Sequence, residues 1–335
     1  DQEADNRAEP KHVYEPGERP EGEVRLVISG VEIQTDRDEA ECDPRLEKGR
    51  RELGGVVWGH RHILHGDQTD GPAPPAASGE GRETSPLRER QVMNDARRIL
   101  LLSTSTVHGS GFLEYCAQEI ADQFRGCGSV LFVPYASPGG MSYDEYTDRV
   151  ARQFATLGLD VSGIHSSQDP AAAVGDAAGV FIGGGNTFLL LRELYRQELL
   201  DPIRSRVAEG MPYMGSSAGS NVAGMTIGTT NDMPIVHTPS FDALGLVRFN
   251  LNPHYLDPDP DSTHMGETRE TRIREYHVQN TEPVIGLREG AWLRVAGEAI
   301  RLEGRSGARL FRRDQEPEEL TPGSELSDLL EQGTR

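Results

Sequence analysis

From residue 97 to residue 215 one unit recurs: a short apolar run, a turn, then an amphipathic stretch. RRILLLSTS (97–105), SVLFVPYA (129–136), LDVSGIHS (159–166), AGVFIGG (178–184) and MPYMG (211–215) read as strands. EYCAQEIADQF (114–124), YDEYTDRVARQFATLG (143–158, closed by Gly158) and DPAAAVGDA (169–177) have helical spacing. So does NTFLLLRELYRQELLDPIRSRVAEG (186–210), which has room for one or two helices. Strands that are apolar along their whole length are buried on both faces, and helices between them serve as crossovers. The pattern therefore predicts an α/β fold, a mostly parallel sheet flanked by helices on both faces. The last third is mixed: VRFNLNP, a helix near GETRETRIREYHVQN, then short strands in PVIGLREGAWLRVAGEAIRLEG.

The regions outside this pattern differ from it. Residues 1–92 are acidic, rich in Pro and Gly, and offer only 22–35 and 56–64 as strands, so they are expected to form a loosely structured extension. Met93, the first methionine, is expected to be the initiator of the patterned part, which runs over residues 93–313. The acidic tail, 314–335, is expected to be solvated. His60, His62 and His65 match no standard metal-ligand spacing, and no metal site is expected there.

Charge and cysteines exclude some classes. With a net charge of −20, neither nucleic acid nor an anionic membrane surface is an expected partner, because both require clustered Lys and Arg. Cys42, Cys116 and Cys127 are an odd, sparse set without CxxC spacing, which fits a reducing compartment. The polar start is unlike a secretory signal, so the cytoplasm is the expected location. The charge says little about a small substrate, whose site has its own local charge, and a homodimer is an expected assembly.

The chemistry concentrates in residues 211–236. Gly215-Ser216-Ser217-Ala218-Gly219 fits G-x-S-x-G after an apolar strand and before a helix-compatible run. In such an elbow the nucleophile sits on a strained turn and its neighbours must be small, which singles out Ser217. The same glycines would also suit a plain strand-to-helix turn. A serine nucleophile needs a base, and the base needs an orienting carboxylate. His108, His165, His237, His254, His264 and His277 are available, and His254, behind Pro253 at the end of a strand, is favoured. Asp232, Asp257 and Glu289 are the candidate acids. Gly183-Gly184-Gly185-Asn186 ends another strand. Its backbone N–H groups suit an anion, an oxyanion shared with Ala218, or a tight turn.

FIGGGNTF, GSSAGSNVAG, TTNDMPI and NPHYLD, followed by GETRETRIREY and GLREGAW, resemble the S51 serine peptidases, the family of α-aspartyl dipeptidases. The resemblance spans about residues 93–312. It implies a sheet similar to class I glutamine amidotransferase domains, Ser217 as nucleophile and His254 as general base. For the third member it leaves Asp232, which is favoured, and Glu289, held in reserve or as a ligand for the substrate's amino group. It implies hydrolysis of Asp-Xaa dipeptides with no metal or cofactor. An aspartyl substrate calls for a cation, and Arg269, then Arg272, are the candidates. Two rivals are a cyanophycinase-like hydrolase of β-Asp-Arg units and a non-catalytic small-anion-binding protein.

Overall fold

The computed structural model describes residues 97–331, apart from Ser262 and His264. The expected extension 1–92, its two strands, the start at Met93, His60, His62, His65, Cys42 and His264 lie outside the described residues. In chain order the strands are β1 (Arg98–Leu102), β2 (Ser129–Val133), β3 (Asp160–Gly163), β4 (Val180–Ile182), β5 (Tyr213–Ser216), β6 (Asn250–Pro253), β7 (Val284–Leu287), β8 (Ala291–Ala296), β9 (Ala299–Gly304), β10 (Ala308–Phe311) and β11 (Glu318–Leu320). The helices are α1 (Ala117–Gln123), α2 (Tyr143–Ala155), α3 (Pro170–Asp176), α4 (Thr187–Arg196), α5 (Leu200–Ala208), α6 (Ala218–Asn221), α7 (Arg269–Gln279) and α8 (Asp328–Glu331).

Seven strands form the main sheet in the order β3-β2-β4-β5-β1-β8-β9. The first five are parallel, as the crossover pattern predicts, and β8 and β9 add an antiparallel edge. A second sheet, β11-β10-β7-β6, pairs β6 with β7 in parallel and the rest antiparallel. The period of two is legible along β1. Ile99 and Leu101 enter one buried cluster, Leu100 and Leu102 the other, and all four are fully buried. Both faces of the central strand are therefore covered, which is why its sequence shows no polar alternation.

Helix starts follow from capping chemistry. Ser142 and Glu145 form a reciprocal capping box at α2, and Asp169, Asn186 and Thr268 accept from first-turn N–H groups of α3, α4 and α7. Gly158, at φ 73°, ends the α2 turn as expected.

The tail departs from the expectation of a solvated segment. Residues 318–320 add a strand to the second sheet, and Leu320, Leu326 and Leu329 are buried in the large core cluster. The acidic residues there mask a sparse apolar pattern, and burying three leucines holds the segment down to residue 331. Among the described residues no helix is long and apolar enough to cross a membrane.

Candidate active site

The parallel strands β1, β4 and β5 end side by side, and residues that follow each of them converge there. This edge, beyond the carboxyl ends of parallel strands, is where α/β sheets place ligands.

Ser217 follows β5 with φ 52° and ψ −110°, outside the regions an L-residue prefers, and α6 begins at the next residue. The small neighbours are a steric necessity. A Cβ on Gly219 would collide with the carbonyl oxygen of Ile182, and one on Gly215 with that of Gly219. The turn is tied down by three hydrogen bonds. Tyr213 Oη donates to the Gly219 carbonyl at 2.6 Å, and the Ser217 N–H to the Leu102 carbonyl at 3.0 Å. Ser220 Oγ donates to that same Leu102 oxygen at 2.7 Å. Ser220 is thereby committed to structure, and Ser216 is fully buried. Ser217 alone of the three serines is partly exposed.

His254 follows β6 and Glu289 follows β7. These strands are parallel, with Pro253 and Leu287 as register partners, so the residues just beyond them are brought together. Nδ1 of His254 lies 2.7 Å from Glu289 Oε1, and Nε2 lies 3.0 Å from Ser217 Oγ. A neutral imidazole with its proton on Nδ1 satisfies both contacts, donating to the carboxylate and accepting from the hydroxyl. The line is open to solvent, with 40% of the His254 side chain and 57% of the Glu289 side chain exposed.

Asp232, favoured in the sequence as the orienting acid, does not contact the imidazole. Its Oδ2 accepts from the Thr187 N–H at 2.7 Å and the Thr187 hydroxyl at 2.6 Å, at the first residue of α4. The loop after α6 turns toward that helix N-terminus, where a carboxylate meets free N–H groups and the positive end of the helix dipole. The reserve candidate Glu289 occupies the place against His254. Asp257, the third candidate, forms a bidentate ion pair with Arg288, at 2.7 and 2.8 Å. Arg288 holds the Asp257 carboxyl below its usual range. His165 bonds Asp144 and His277 bonds the Glu282 carbonyl, so both are engaged elsewhere.

The glycine turn after β4 packs on Ser217. A Cβ on Gly184 would stand 3.0 Å from Ser217 Cβ. The Gly184 N–H donates to Tyr146 Oη at 2.9 Å. The N–H groups of Gly185, at φ 138°, and of Ala218, the first residue of α6, find no acceptor among the described residues.

Of the two arginines, Arg272 pairs with Glu267 at 3.4 Å, the surface role its charge-rich helix allows. Arg269 forms no ion pair among the described residues. Partial burial and the nearby charge of Arg272 push its pKa down, while Asp232 opposes them. The guanidinium is thus a partly desolvated cation that feels the attraction of Asp232.

One residue at the site has no counterpart in the sequence analysis. Ser103, fully buried, accepts from the His254 N–H at 2.9 Å and donates to the Leu287 carbonyl at 2.7 Å. The signal available was a hydroxyl immediately after an all-apolar strand. Among the described residues no group of three or more His, Cys, Asp or Glu is arranged to hold a metal ion.

The family model described as Peptidase family S51 matches residues 99–303. A protein named "Peptidase E" from Streptomyces coelicolor is 52% identical over 233 residues, covering 70% of this chain and 95% of the relative. A protein named "Probable alpha-aspartyl dipeptidase" from Drosophila melanogaster is 49% identical over 242 residues, covering 71% of this chain and all of the relative. Among solved structures, a peptidase from an acI-B1 Actinobacterium superposes with a TM-score of 0.54 at 17% identity, covering 69% of this chain and 96% of that one. At that identity the likeness extends to the fold.

Proposed function

The chain belongs to peptidase family S51 and is a peptidase, and from that premise we propose that it is a serine dipeptidase releasing N-terminal aspartate from Asp-Xaa. The observation that carries this reading is the hydrogen-bonded line from Glu289 through His254 to Ser217.

A serine hydroxyl is a weak nucleophile until a base takes its proton as it attacks. In the proposed reaction Ser217 Oγ attacks the carbonyl carbon of the N-terminal residue while its proton passes to His254 Nε2. The oxygen of the tetrahedral intermediate becomes negative. The N–H groups of Ala218 and Gly185 are the proposed donors to it, and preorganised donors of this kind are worth about 3 kcal/mol each. His254 then passes the proton to the leaving nitrogen, the C–N bond breaks, and Ser217 is acylated. A water gives its proton to His254, attacks the ester carbonyl, and the departing Oγ recovers that proton. Through both halves Glu289 stabilises the imidazolium and keeps the ring turned toward Oγ.

For specificity, Arg269 is the proposed partner of the substrate's aspartyl carboxylate. Its support is that it forms no ion pair among the described residues and that its partly buried guanidinium feels the attraction of Asp232. An arriving carboxylate would find a partly desolvated fork of donors, where charge-assisted hydrogen bonds are strongest. The printed name of the Drosophila melanogaster relative points to the same substrate class.

The test is turnover of Asp-Leu by the full chain and by Ser217→Ala, with Ala-Leu and β-Asp-Arg as comparison substrates. The reading expects Asp-Leu to be cleaved and the others spared, and the Ala variant to lose at least about 10³-fold in kcat. Undiminished turnover by Ser217→Ala would sink the mechanism, and faster cleavage of β-Asp-Arg would sink the substrate assignment.

A further inference from the structure

Both members of the proposed nucleophile–base pair have backbone in the left-handed half of φ space, Ser217 at 52° and His254 at 53°. An L-residue stays there only when its surroundings hold it. For each, the holding hydrogen bond from its own N–H ends on the same two consecutive residues at the tip of β1. The Ser217 N–H donates to the Leu102 carbonyl, and the His254 N–H to the Ser103 hydroxyl.

We propose that Ser103 is a positioning residue that sets the base against the nucleophile, an inference that rests on the catalytic reading above. Its hydroxyl does two things at once. It accepts from the His254 N–H and donates to the carbonyl of Leu287, two residues before Glu289. One oxygen thus ties the main sheet, through β1, to β6 and β7 of the second sheet. Those two strands carry the imidazole and its carboxylate. Ser217 is referenced to the neighbouring Leu102, so nucleophile, base and acid are all measured from one dipeptide.

The chemistry of the link explains why a hydroxyl stands there. The position needs a donor and an acceptor on a single small atom, and among small side chains only a hydroxyl supplies both strongly. Ser103 is fully buried, so bulk water has no access to stand in for a missing hydroxyl. Without it the His254 N–H has no acceptor, the Leu287 C=O keeps only the Tyr255 N–H, and residue 254 loses the backbone hydrogen bond that helps to hold its unfavourable φ. The ring then swings away from Oγ. Ser103 touches neither substrate nor reacting atoms and acts only through the placement of His254.

The experiment compares wild type, Ser103→Ala, Ser103→Thr and Ser217→Ala as full chains, with kcat and KM on Asp-Leu, thermal midpoints, and the low-field proton NMR signal of the His254 Nδ1–H. For folded Ser103→Ala the expected result is a kcat lower by about 10²-fold with KM within about threefold, since misplacement by an ångström costs that much. The low-field signal is lost or broadened, and Ser103→Thr, which keeps the hydroxyl, recovers at least a tenth of the activity. A Ser103→Ala variant with near wild-type kcat and an intact signal overturns the proposal. If that variant does not fold, the wild-type chain decides through amide exchange: the His254 N–H should exchange at least about 10³-fold slower than an open loop amide. Exchange at the open-loop rate overturns the proposal. Loss of turnover in Ser217→Ala beside normal turnover in Ser103→Ala rejects Ser103 alone, whereas normal turnover in Ser217→Ala rejects the catalytic reading beneath it.

Discussion

His254 Nδ1 and Glu289 Oε1 lie 2.7 Å apart because the strands before them run parallel, with Pro253 opposite Leu287. The two residues are 35 positions apart in the chain, and helix α7 fills the interval. A parallel pair needs such a crossover, and its return brings the ends of both strands to the same edge. Strand register thus places Glu289, and not Asp232, beside the imidazole. Asp232 is much nearer in sequence to Ser217, but it lies on a loop directed at another helix.

Exchanging the two acids should separate their roles. In Glu289→Gln the imidazole loses a charged acceptor at Nδ1, and kcat on Asp-Leu should fall by about 10³-fold with little change in KM. In Asp232→Asn the chemistry should survive, the loss being a stabilising charge at the start of α4 worth about 0.5–1 kcal/mol. Steady-state kinetics beside denaturant midpoints checks this. A larger kcat loss from Asp232→Asn than from Glu289→Gln would restore Asp232 as the orienting acid.

Arg269→Gln should raise KM for Asp-Leu by at least about tenfold, the equivalent of one charge-assisted hydrogen bond or more. Arg272→Gln, which loses a 3.4 Å surface pair with Glu267, should change KM by less than about twofold. Equal effects from the two variants would remove Arg269 from the specificity pocket.

The elbow should tolerate no added carbon. Gly219→Ala drives a methyl group into the Ile182 carbonyl, backbone against backbone, and should cost about 3 kcal/mol or leave the chain insoluble. Ala introduced at Gly175, which lies in α3 with open space around its Cα, should be neutral or stabilising. Urea unfolding of the two variants gives the comparison.

The Asp257–Arg288 pair should write itself into stability against pH. Arg288 lowers the folded-state pKa of Asp257, so the stabilisation is complete above the unfolded carboxylate value, about 4. It fades as pH drops through the lower folded-state value. The gap in unfolding midpoint between wild type and Asp257→Asn should therefore be widest at neutral pH and close on acidification. The side chain is 47% exposed, so the gap should be modest and shrink with salt. A gap that widens as pH falls would contradict the assigned direction.

Local pattern carried much of the fold. Strands β1, β2, β4 and β5 were legible because burial on both faces leaves apolar runs, whereas the edge strand β3 is exposed or half-buried throughout; the helices were legible because their apolar positions recur with helical period. The buried part of the tail is illegible in the sequence because its leucines are isolated among acidic residues, most of which are exposed. Three leucines carry no periodicity, yet Leu320 is buried on the edge of β10 and Leu326 and Leu329 beyond it, Leu326 bonding Ile300 of β9.

Local sequence was enough to single out Ser217 at the strand-to-helix turn. Only glycine at 215 lets β5 pass so close to α6, and only glycine at 219 lets α6 pass so close to β4, and that constraint is local enough to be written in five adjacent residues. The carboxylate beside His254 and the Ser103 hydroxyl beneath it are placed by contacts that only the folded chain makes. Those contacts join residues 35 and 151 positions apart, across strands and between sheets. A hydrogen bond of about 3 Å depends on register and crossover geometry, which no spacing of residue types along the chain records.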